Sequence, residues 1–227
     1  MLVFIAAEPR EFAGLLRHTE LASKLDWPVS FARMARLKGN AVLLVADGPG
    51  PKLAARAVNT AREREKVEGL ISIGFCGALD PALAPCDIFI ATEVLGVGTC
   101  SMPAGLGRAY KTGKLLSIDR VASTVSEKSE LRKSGADVVE MEAGAVAERA
   151  EHFNVPFYAI RVVSDAAGES LPLDFNQVRD AEGRFDRVKV LAAASRRPGI
   201  FPALLKLNRR CKAAARILGD FIADTRF

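Results

Sequence analysis

The chain has 227 residues, 49% of them hydrophobic and 26% charged, which is enough apolar material for one domain with a buried core. No apolar run reaches the roughly 18 residues of a membrane span, and the start lacks a basic region with a cleavage site, so we expect a cytoplasmic protein. The four cysteines show no CxxC spacing and there are two histidines, so we expect neither a metal site nor an organic cofactor.

The formal net charge of +5 is unevenly distributed. Residues 191–227 sum to +6, and residues 1–190 therefore to −1. A basic tail on a nearly neutral body argues for a local surface interaction and against nucleic-acid binding by the whole domain. We accordingly predict a main domain over residues 1–190 and a basic C-terminal extension over residues 191–227.

The first part of the chain alternates strands and helices. Residues 2–6 form an apolar run, followed by an acidic turn and apolar residues at helical spacing, which predicts a strand, a turn and a helix. Residues 41–46 predict a second strand, and residues 52–66 a helix after a Gly-Pro turn. Residues 69–73 predict a third strand, which ends in a turn of small residues at 74–78.

The same order continues to residue 163. Residues 87–94 predict a fourth strand, residues 142–152 a helix, and residues 156–163 a continuous apolar strand. Strands separated by helices indicate a single α/β domain, with a central, mostly parallel mixed sheet flanked by helices. Because right-handed crossovers bring the ends of parallel strands to one edge, we expect the ligand site at that edge.

Three acidic side chains follow or open elements at this edge: Glu11, Glu142 and Asp165. Each alone has a purely structural explanation. Glu11 and Glu142 would be first-turn acids favoured by a helix dipole, and Asp165 would cap a helix. Their common position at the ligand edge favours a shared site.

Longer segments carry a family resemblance. Residues 139–147 (VEMEAGAVA) and 154–167 (NVPFYAIRVVSDAA) closely resemble the methylthioadenosine and adenosylhomocysteine nucleosidases and their phosphorylase relatives. Residues 5–11 (IAAEPRE) fit that family's first strand and acidic turn, and residues 73–79 (IGFCGAL) fit its small-residue turn. The resemblance covers about residues 1–175. It implies an enzyme that cleaves the bond between a purine, which we expect to be adenine, and its ribose.

The resemblance implies three catalytic residues. Asp165 would be the acid at the base, Glu142 would bind the ribose hydroxyls, and Glu11 would position the attacking water. Cleavage of an N-ribosidic bond builds positive charge on the sugar and negative charge on the purine, so the site must protonate the purine at N7. A purine edge and an apolar wall would keep Asp165 protonated for that step, while Arg161 would keep Glu142 ionised.

The resemblance also implies a set of substrate-binding side chains around these acids. They are Met141 against the sugar, Glu142 at its hydroxyls, Arg161 in support of the carboxylates, Ser164 beside the acid, Phe75 in the small-residue turn, and Val121 near the position that stacks on the base.

The nucleophile is water or phosphate. Phosphorolytic relatives hold phosphate with a glycine turn, arginines and a serine; here Ser72 stands where a relative carries an arginine and Phe75 where it carries the serine. An anion therefore has fewer donors, and hydrolysis is favoured. A phosphate-dependent purine nucleoside phosphorylase, with phosphate as co-substrate, stays open. The amides of residues 48–50 and a cation such as Lys52, Arg33 or Arg36 could reach the site.

The basic tail predicts an amphipathic helix over residues 203–224. Its apolar stripe runs from Leu204 to Phe221 or Ile222, and its cations lie mostly away from that stripe. One interpretation is a final helix that packs its stripe on the domain. The other is an interfacial helix whose cations attract anionic lipid headgroups.

A second resemblance bears on the substrate. Residues 171–175 (LPLDF), 181–185 (AEGRF) and 196–205 (RRPGIFPALL) resemble the hopanoid-associated phosphorylases, which remove adenine from an adenosyl-hopane lipid. This implies a lipid-linked nucleoside and peripheral contact with the inner membrane face. Methylthioadenosine, adenosylhomocysteine, futalosine and inosine stay open as alternatives. Because the family members are oligomers, we also expect a homo-oligomer.

Two other classes of function compete with this interpretation. A nucleoside-binding module without turnover would keep the pocket, but the presence of all three acids argues against it. A dinucleotide-dependent oxidoreductase would need GxGxxG after the first strand, and residues 6–11 contain no glycine.

Overall fold

Strands and helices alternate along the chain in the computed structural model, which describes residues 1–227 except for the side chain of Arg187. The strands are β1 (Leu2–Ala6), β2 (Thr19–Lys24), β3 (Phe31–Leu37), β4 (Asn40–Ala46), β5 (Gly69–Ala78), β6 (Ile88–Val94), β7 (Gly98–Thr99), β8 (Lys111–Ser117), β9 (Val138–Glu140) and β10 (Phe157–Asp165). The α-helices are α1 (Pro51–Arg64), α2 (Val125–Arg132), α3 (Ala143–His152), α4 (Arg187–Ser195) and α5 (Phe201–Asp224). Short 3₁₀ helices lie at Pro9–Phe12, Leu15–His18, Phe175–Val178 and Pro198–Ile200.

One mixed sheet joins the strands in the order β10-β6-β8-β9-β5-β1-β4-β3-β2, with β7 beside β6. The central pairs β4–β1, β1–β5 and β5–β10 are parallel, whereas β3 and β2 are added antiparallel at the edge. Because β10 pairs with both β5 and β6, the strands β5, β9, β8, β6 and β10 close into a ring. The predicted α/β fold, a mixed sheet flanked by helices, is confirmed.

Helices cover both faces of the sheet. On one face α1 and α3 pack together over a buried cluster that includes Val58 and Val146. On the other face α5 packs against β10 and β5 with Leu218, Phe221 and Ile222. Burial of these apolar side chains is the main favourable contribution to folding. None of the helices in the described part of the chain has the length and hydropathy of a membrane span.

Two local predictions are wrong, both beside the ligand edge. The small-residue segment 74–78 was expected to form a turn, but it continues β5 as far as Ala78. The segment after β1 was expected to form a helix, but it forms the 3₁₀ helices Pro9–Phe12 and Leu15–His18. The second of these lies against α5, where the backbone of Gly14 approaches Gly219 so closely that a Cβ at residue 219 would lie 2.1 Å from the carbonyl carbon of Gly14.

The C-terminal half of α5 is part of the core. Cys211, Ala214, Leu218, Phe221 and Ile222 are all buried, so this half of the predicted stripe packs on the domain. The N-terminal half is different, because most residues from 201 to 209 are exposed. The packing interpretation therefore holds for the C-terminal half, and the interfacial interpretation stays a prediction for the exposed N-terminal half.

Candidate active site

The C-terminal ends of β1, β5 and β10 open onto a cavity of about 650 Å³. Seven side chains predicted for the site line it: Glu11, Phe75, Val121, Met141, Glu142, Ser164 and Asp165. The remaining predicted residue, Arg161, is fully buried behind the cavity wall. The structure thus brings together three acids that lie far apart in the sequence. The role of each residue stays a prediction.

The 3₁₀ helix Pro9–Phe12 holds Glu11 at the cavity. The Glu11 carboxylate accepts hydrogen bonds from the backbone amides of Phe75 (2.9 Å) and Glu8 (2.8 Å). Gly74 makes this approach feasible: its φ is +148°, and a Cβ there would lie 2.5 Å from a Glu11 carboxylate oxygen. Burial raises the pKa of Glu11, and the two amide hydrogen bonds offset part of that effect.

Glu142 precedes the first turn of α3. It accepts a hydrogen bond of 2.8 Å from the backbone amide of Gly50, which opens α1. Its neighbour Glu140 accepts the backbone amides of Glu142 (2.9 Å) and Ala143 (3.0 Å), so the start of α3 is tied to the end of β9. Burial, and then the negative charges of Glu140 and Glu11, raise the pKa of Glu142 well above its usual range.

Arg161 does not contact Glu142, although its positive charge lowers the pKa of Glu142 and so offsets part of the effect of burial. The Arg161 guanidinium lies inside the ring of strands, 2.5 Å from a Glu140 carboxylate oxygen and 2.7 Å from the Ser72 hydroxyl. One residue, Met141, separates Glu140 from Glu142, but the Glu140 carboxylate bonds to Arg161 inside the ring of strands, whereas the Glu142 carboxylate bonds to the backbone amide of Gly50. Arg161 therefore does not line the cavity; it holds the carboxylate that anchors α3.

Asp165 lies where β10 has a bulge, between Val163 and Asp165 in its pairing with β5. A bulge re-aims the side chains that follow it, and here the Asp165 carboxylate lines the cavity. The Ser164 hydroxyl lies 2.6 Å from one Asp165 carboxylate oxygen. The other oxygen accepts a hydrogen bond from the ammonium group of Lys128. The apolar wall expected around Asp165 is thus replaced, on one side, by a buried cation.

Lys128 is not among the residues that the sequence predicted for the site. Its one local signal is the pattern Thr124-x-x-Glu127, which is typical of a helix start and marks α2. The Thr124 hydroxyl does accept the amide of Glu127, at 3.1 Å. The pattern places Lys128 at the start of a helix but does not indicate that its side chain is buried against a residue 37 positions away.

The cavity offers an anion little free positive charge. Of the described residues that line it, the cations are Arg10 and Arg120, and each already has a carboxylate partner: Glu8 at 2.5 Å and Glu127 at 2.7 Å. The Ser72 hydroxyl is bonded to Arg161, and the Gly50 amide is bonded to Glu142. Glu11 occupies the amide of Phe75. These contacts use groups that could otherwise bind phosphate.

The opposite end of the cavity is apolar. Its wall there comes from α4, from the N-terminal half of α5 and from the loop between β10 and α4. The apolar lining residues of this part are Leu171, Phe175, Phe185, Val190, Leu191, Ala194, Phe201, Leu204, Leu205 and Leu207. Phe175 and Phe185 contact each other edge to face, with ring centroids 5.8 Å apart. The cavity therefore has a carboxylate end on the sheet and an apolar end on the C-terminal helices.

A cavity lined by four buried carboxylates, those of Glu11, Glu140, Glu142 and Asp165, at the edge of a mixed α/β sheet is typical of an enzyme active site. The chain belongs to the Phosphorylase superfamily, whose family model matches residues 2–106 and 103–194. A group of three or more His, Cys, Asp or Glu side chains that could hold a metal ion does not occur among the described residues.

Known proteins extend this assignment. The chain is 26% identical over 170 residues to a 5'-methylthioadenosine/S-adenosylhomocysteine nucleosidase of Staphylococcus aureus. The aligned region covers 61% of this chain and 75% of that protein. Its structure matches the S-adenosylhomocysteine nucleosidase of Streptococcus pyogenes in complex with 5-methylthiotubericidin, with a TM-score of 0.72, 18% identity, and coverage of 98% of this chain and 94% of the other. It also matches the futalosine hydrolase of Helicobacter pylori, with a TM-score of 0.73, 14% identity, and coverage of 98% and 95%. At these identities the structural matches show the fold.

The raised pKa of Glu142 predicts a pH-dependent cost to stability. A carboxyl whose pKa is raised on folding adds stability that is fully present below its ordinary value of 4.5 and is lost as the pH rises through the folded pKa. We expect Glu142→Gln to be more stable than the parent chain at about pH 8, and the difference to shrink toward about pH 5, by no more than about 1.4 kcal/mol per pH unit.

Urea unfolding at several pH values measures this effect. Glu148→Gln is the matched control, because Glu148 lies on the same helix with its side chain 63% exposed. Its stability curve should run parallel to that of the parent chain. A Glu142→Gln curve that is also parallel would contradict the raised pKa.

Proposed function

We propose that the chain hydrolyses the N-ribosidic bond of a purine nucleoside and releases the free base, with adenine as the expected base. The observation that carries the proposal is the convergence of Glu11, Glu142 and Asp165 on one end of a single cavity. The curated relative and the structural matches named above are nucleosidases and a futalosine hydrolase, which supports this reaction class.

Each acid has a position that suits one part of the reaction. Asp165 would face the purine and deliver the proton that N7 takes as the base leaves. Glu142 would hold the ribose hydroxyls, with Met141 against the sugar. Glu11, oriented by two backbone amides, would hold the water that attacks the anomeric carbon. The leaving purine carries away the electron pair of the glycosidic bond, so a proton at N7 and anionic groups near the sugar both stabilise the transition state.

Water is the nucleophile that the contacts favour. Phosphate would need cations and hydroxyl donors, and the candidates at this cavity already have partners within the chain. Phosphorolysis is the alternative within the same enzyme class, and a nucleoside-binding module without turnover is the alternative outside it.

Base release tests these alternatives directly. We expect adenine release from adenine nucleosides at the same rate with and without phosphate. Asp165→Asn should keep the fold and lower kcat by about 10² to 10⁴, the usual contribution of general acid catalysis. Asp224→Asn is the matched control, because Asp224 lies on the surface in an exposed pair with Arg108. Near-normal turnover by Asp165→Asn would remove Asp165 from the mechanism, and nucleoside binding without base release would favour the binding module.

The apolar end of the cavity bears on the 5′ substituent. A nucleoside whose base lies at Asp165 and whose ribose lies at Glu142 has the α4 and α5 side of the cavity left for its 5′ group. We propose that this group is long and apolar, as in an adenosyl-hopane lipid. The support is the chemical character of the wall, which includes Phe175, Leu204 and Leu207.

A chain-length series tests the apolar channel. For 5′-alkylthio-adenosines of increasing length, we expect kcat/KM to rise by about fourfold per methylene, since burial of one CH₂ contributes about 0.8 kcal/mol. Leu204→Gln should flatten this series. Ile217→Gln is the control, because Ile217 lies on the same helix outside the cavity and is 37% exposed. A flat series for the parent chain would show that the channel does not hold the 5′ group.

The surface around the apolar end has the composition of a membrane-binding patch. Val188 and Leu191 of α4 are 74% and 63% exposed, and Leu205 of α5 is 56% exposed. Exposed cations follow in the same segment: Arg196, Arg197, Lys206, Arg209 and Lys212. We propose that this segment rests on an anionic bilayer, from which a lipid-linked substrate would enter the cavity. Assembly of the chain into a homo-oligomer stays a prediction.

Vesicle co-sedimentation tests the patch. The test should use substitutions in the full chain, because removal of α5 would also remove core residues such as Leu218 and Phe221. A triple charge reversal should weaken binding to anionic vesicles by about two orders of magnitude, at about 1 kcal/mol per cation. The reversed residues are Lys206→Glu, Arg209→Glu and Lys212→Glu. The control with equal net charge reverses the exposed Lys24, Lys66 and Lys133. Equal binding by the two triple variants would contradict the proposal.

A further inference from the structure

Lys128 is a fully buried cation in contact with the proposed acid. It lies on α2 with a relative exposure of 0%, and its ammonium group has three oxygen acceptors. These are one carboxylate oxygen of Asp165, the carbonyl oxygen of Ala166 at 2.8 Å and the carbonyl oxygen of Glu169 at 2.8 Å. The proposed function assigns no part to this lysine.

The number of acceptors determines the protonation state. A neutral amine has two N–H groups and one lone pair, so one of three surrounding oxygens would face that lone pair. An ammonium group has three N–H groups and satisfies all three oxygens. A buried ammonium in turn needs an ionised partner, and the carboxylate in contact with it is Asp165. The geometry therefore describes a charged pair, Lys128 as ammonium and Asp165 as carboxylate.

The charged groups around the pair do not change this conclusion. On α5, Arg210 binds the Glu169 carboxylate at 2.5 and 2.8 Å, and this contact lowers the pKa of Glu169. The thiols of Cys76 on β5 and Cys211 on α5 stay neutral because burial raises the pKa of each. On α2 itself, the Glu127 carboxylate bonds to Arg120 and to the amide of Ser123.

A carboxylate has no proton to give to the departing purine. We propose that the Lys128 ammonium supplies, through Asp165, the proton that the purine takes at N7. This inference rests on the proposed function. Lys128 is a positioning and proton-supplying residue, because it acts on the substrate through Asp165.

The glycosidic bond breaks, and its electron pair leaves with the purine. A proton moves from Lys128 to the Asp165 carboxylate, and the carboxyl gives a proton to N7, so the base leaves neutral and Lys128 is left as an amine. Water adds to the anomeric carbon and loses a proton to Glu11. Solvent then returns a proton to Lys128 as Glu11 loses its own.

Lys128→Met separates this role from a structural one. Without the ammonium, Asp165 can act as the acid only after it takes a proton from solvent, which low pH favours. We expect kcat of the variant to fall by about 10²-fold at about pH 8, and to recover to within about tenfold of the parent chain at about pH 5.5. KM should change little. If Lys128 only tethers Ala166 and Glu169, kcat should fall by one factor at every pH.

Two controls accompany the pH profile. Lys133→Met removes an exposed lysine next to α2 and should keep the parent profile. Asp165→Asn combined with Lys128→Met should show no recovery at low pH. Carbon-13 NMR of the Asp165 carboxyl group measures its protonation state independently of catalysis. The parent chain should show the signal of a carboxylate, and Lys128→Met should show that of a protonated carboxyl group at the low-pH end of the kinetic profile.

The outcomes are distinguishable. Parallel pH profiles, or a protonated Asp165 in the parent chain, would overturn the role of Lys128 and leave the proposed function in place. A parent chain that releases no base from any nucleoside would overturn the proposed function, and the proton supply from Lys128 would fall with it.

Discussion

The buried ion pair between Arg161 and Glu140 connects the parts of this site. Arg161 comes from β10, Glu140 from the end of β9, and the Ser72 hydroxyl from β5, so one guanidinium joins three strands of the ring. The Glu140 carboxylate also accepts the first backbone amides of the α3 segment, including that of Glu142. Removal of two charges from water carries a large free-energy cost, and a pair of this kind persists only when further hydrogen bonds satisfy it. The position of Glu142 at the cavity depends on that pair.

The pair also affects how charge is distributed around the cavity. Glu142 and Glu11 accept hydrogen bonds from backbone amides and have no bound cation, and burial raises the pKa of each. Two other carboxylates of the cavity contact buried cations: Asp165 contacts Lys128, and Glu140 contacts Arg161. The carboxylates of the cavity therefore have two kinds of environment, one set by backbone amides and one by a buried cation, which is the condition for different roles. Burial of these carboxylates lowers the stability of the fold, as is common where activity requires buried charge.

Much of the fold follows from local pattern. Apolar runs and helix-starting residues identified β1, β4, β5, β6, β10 and the helices α1, α3 and α5, and the crossover rule placed the acids at one edge. The strands β2, β3 and β8 were missed because they are polar on one face and interrupted by charges. The end of β5 was missed because glycine indicates a turn by default. Here the absence of a Cβ at Gly74 leaves room for the carboxylate of Glu11, which lies 63 residues away in the chain.

The amino-acid pattern therefore predicted the class of fold, and it predicted that Glu11, Glu142 and Asp165 share the sheet edge where the structure has its cavity. It did not establish their ionic partners. Arg161 pairs with Glu140 and not with Glu142, and Asp165 pairs with Lys128. A buried charged side chain pairs with whichever oppositely charged group the fold places beside it. Strand register, the bulge in β10 and the direction of each side chain decide which groups are neighbours. All three depend on contacts between residues distant in the chain, and local periodicity carries no information about such contacts.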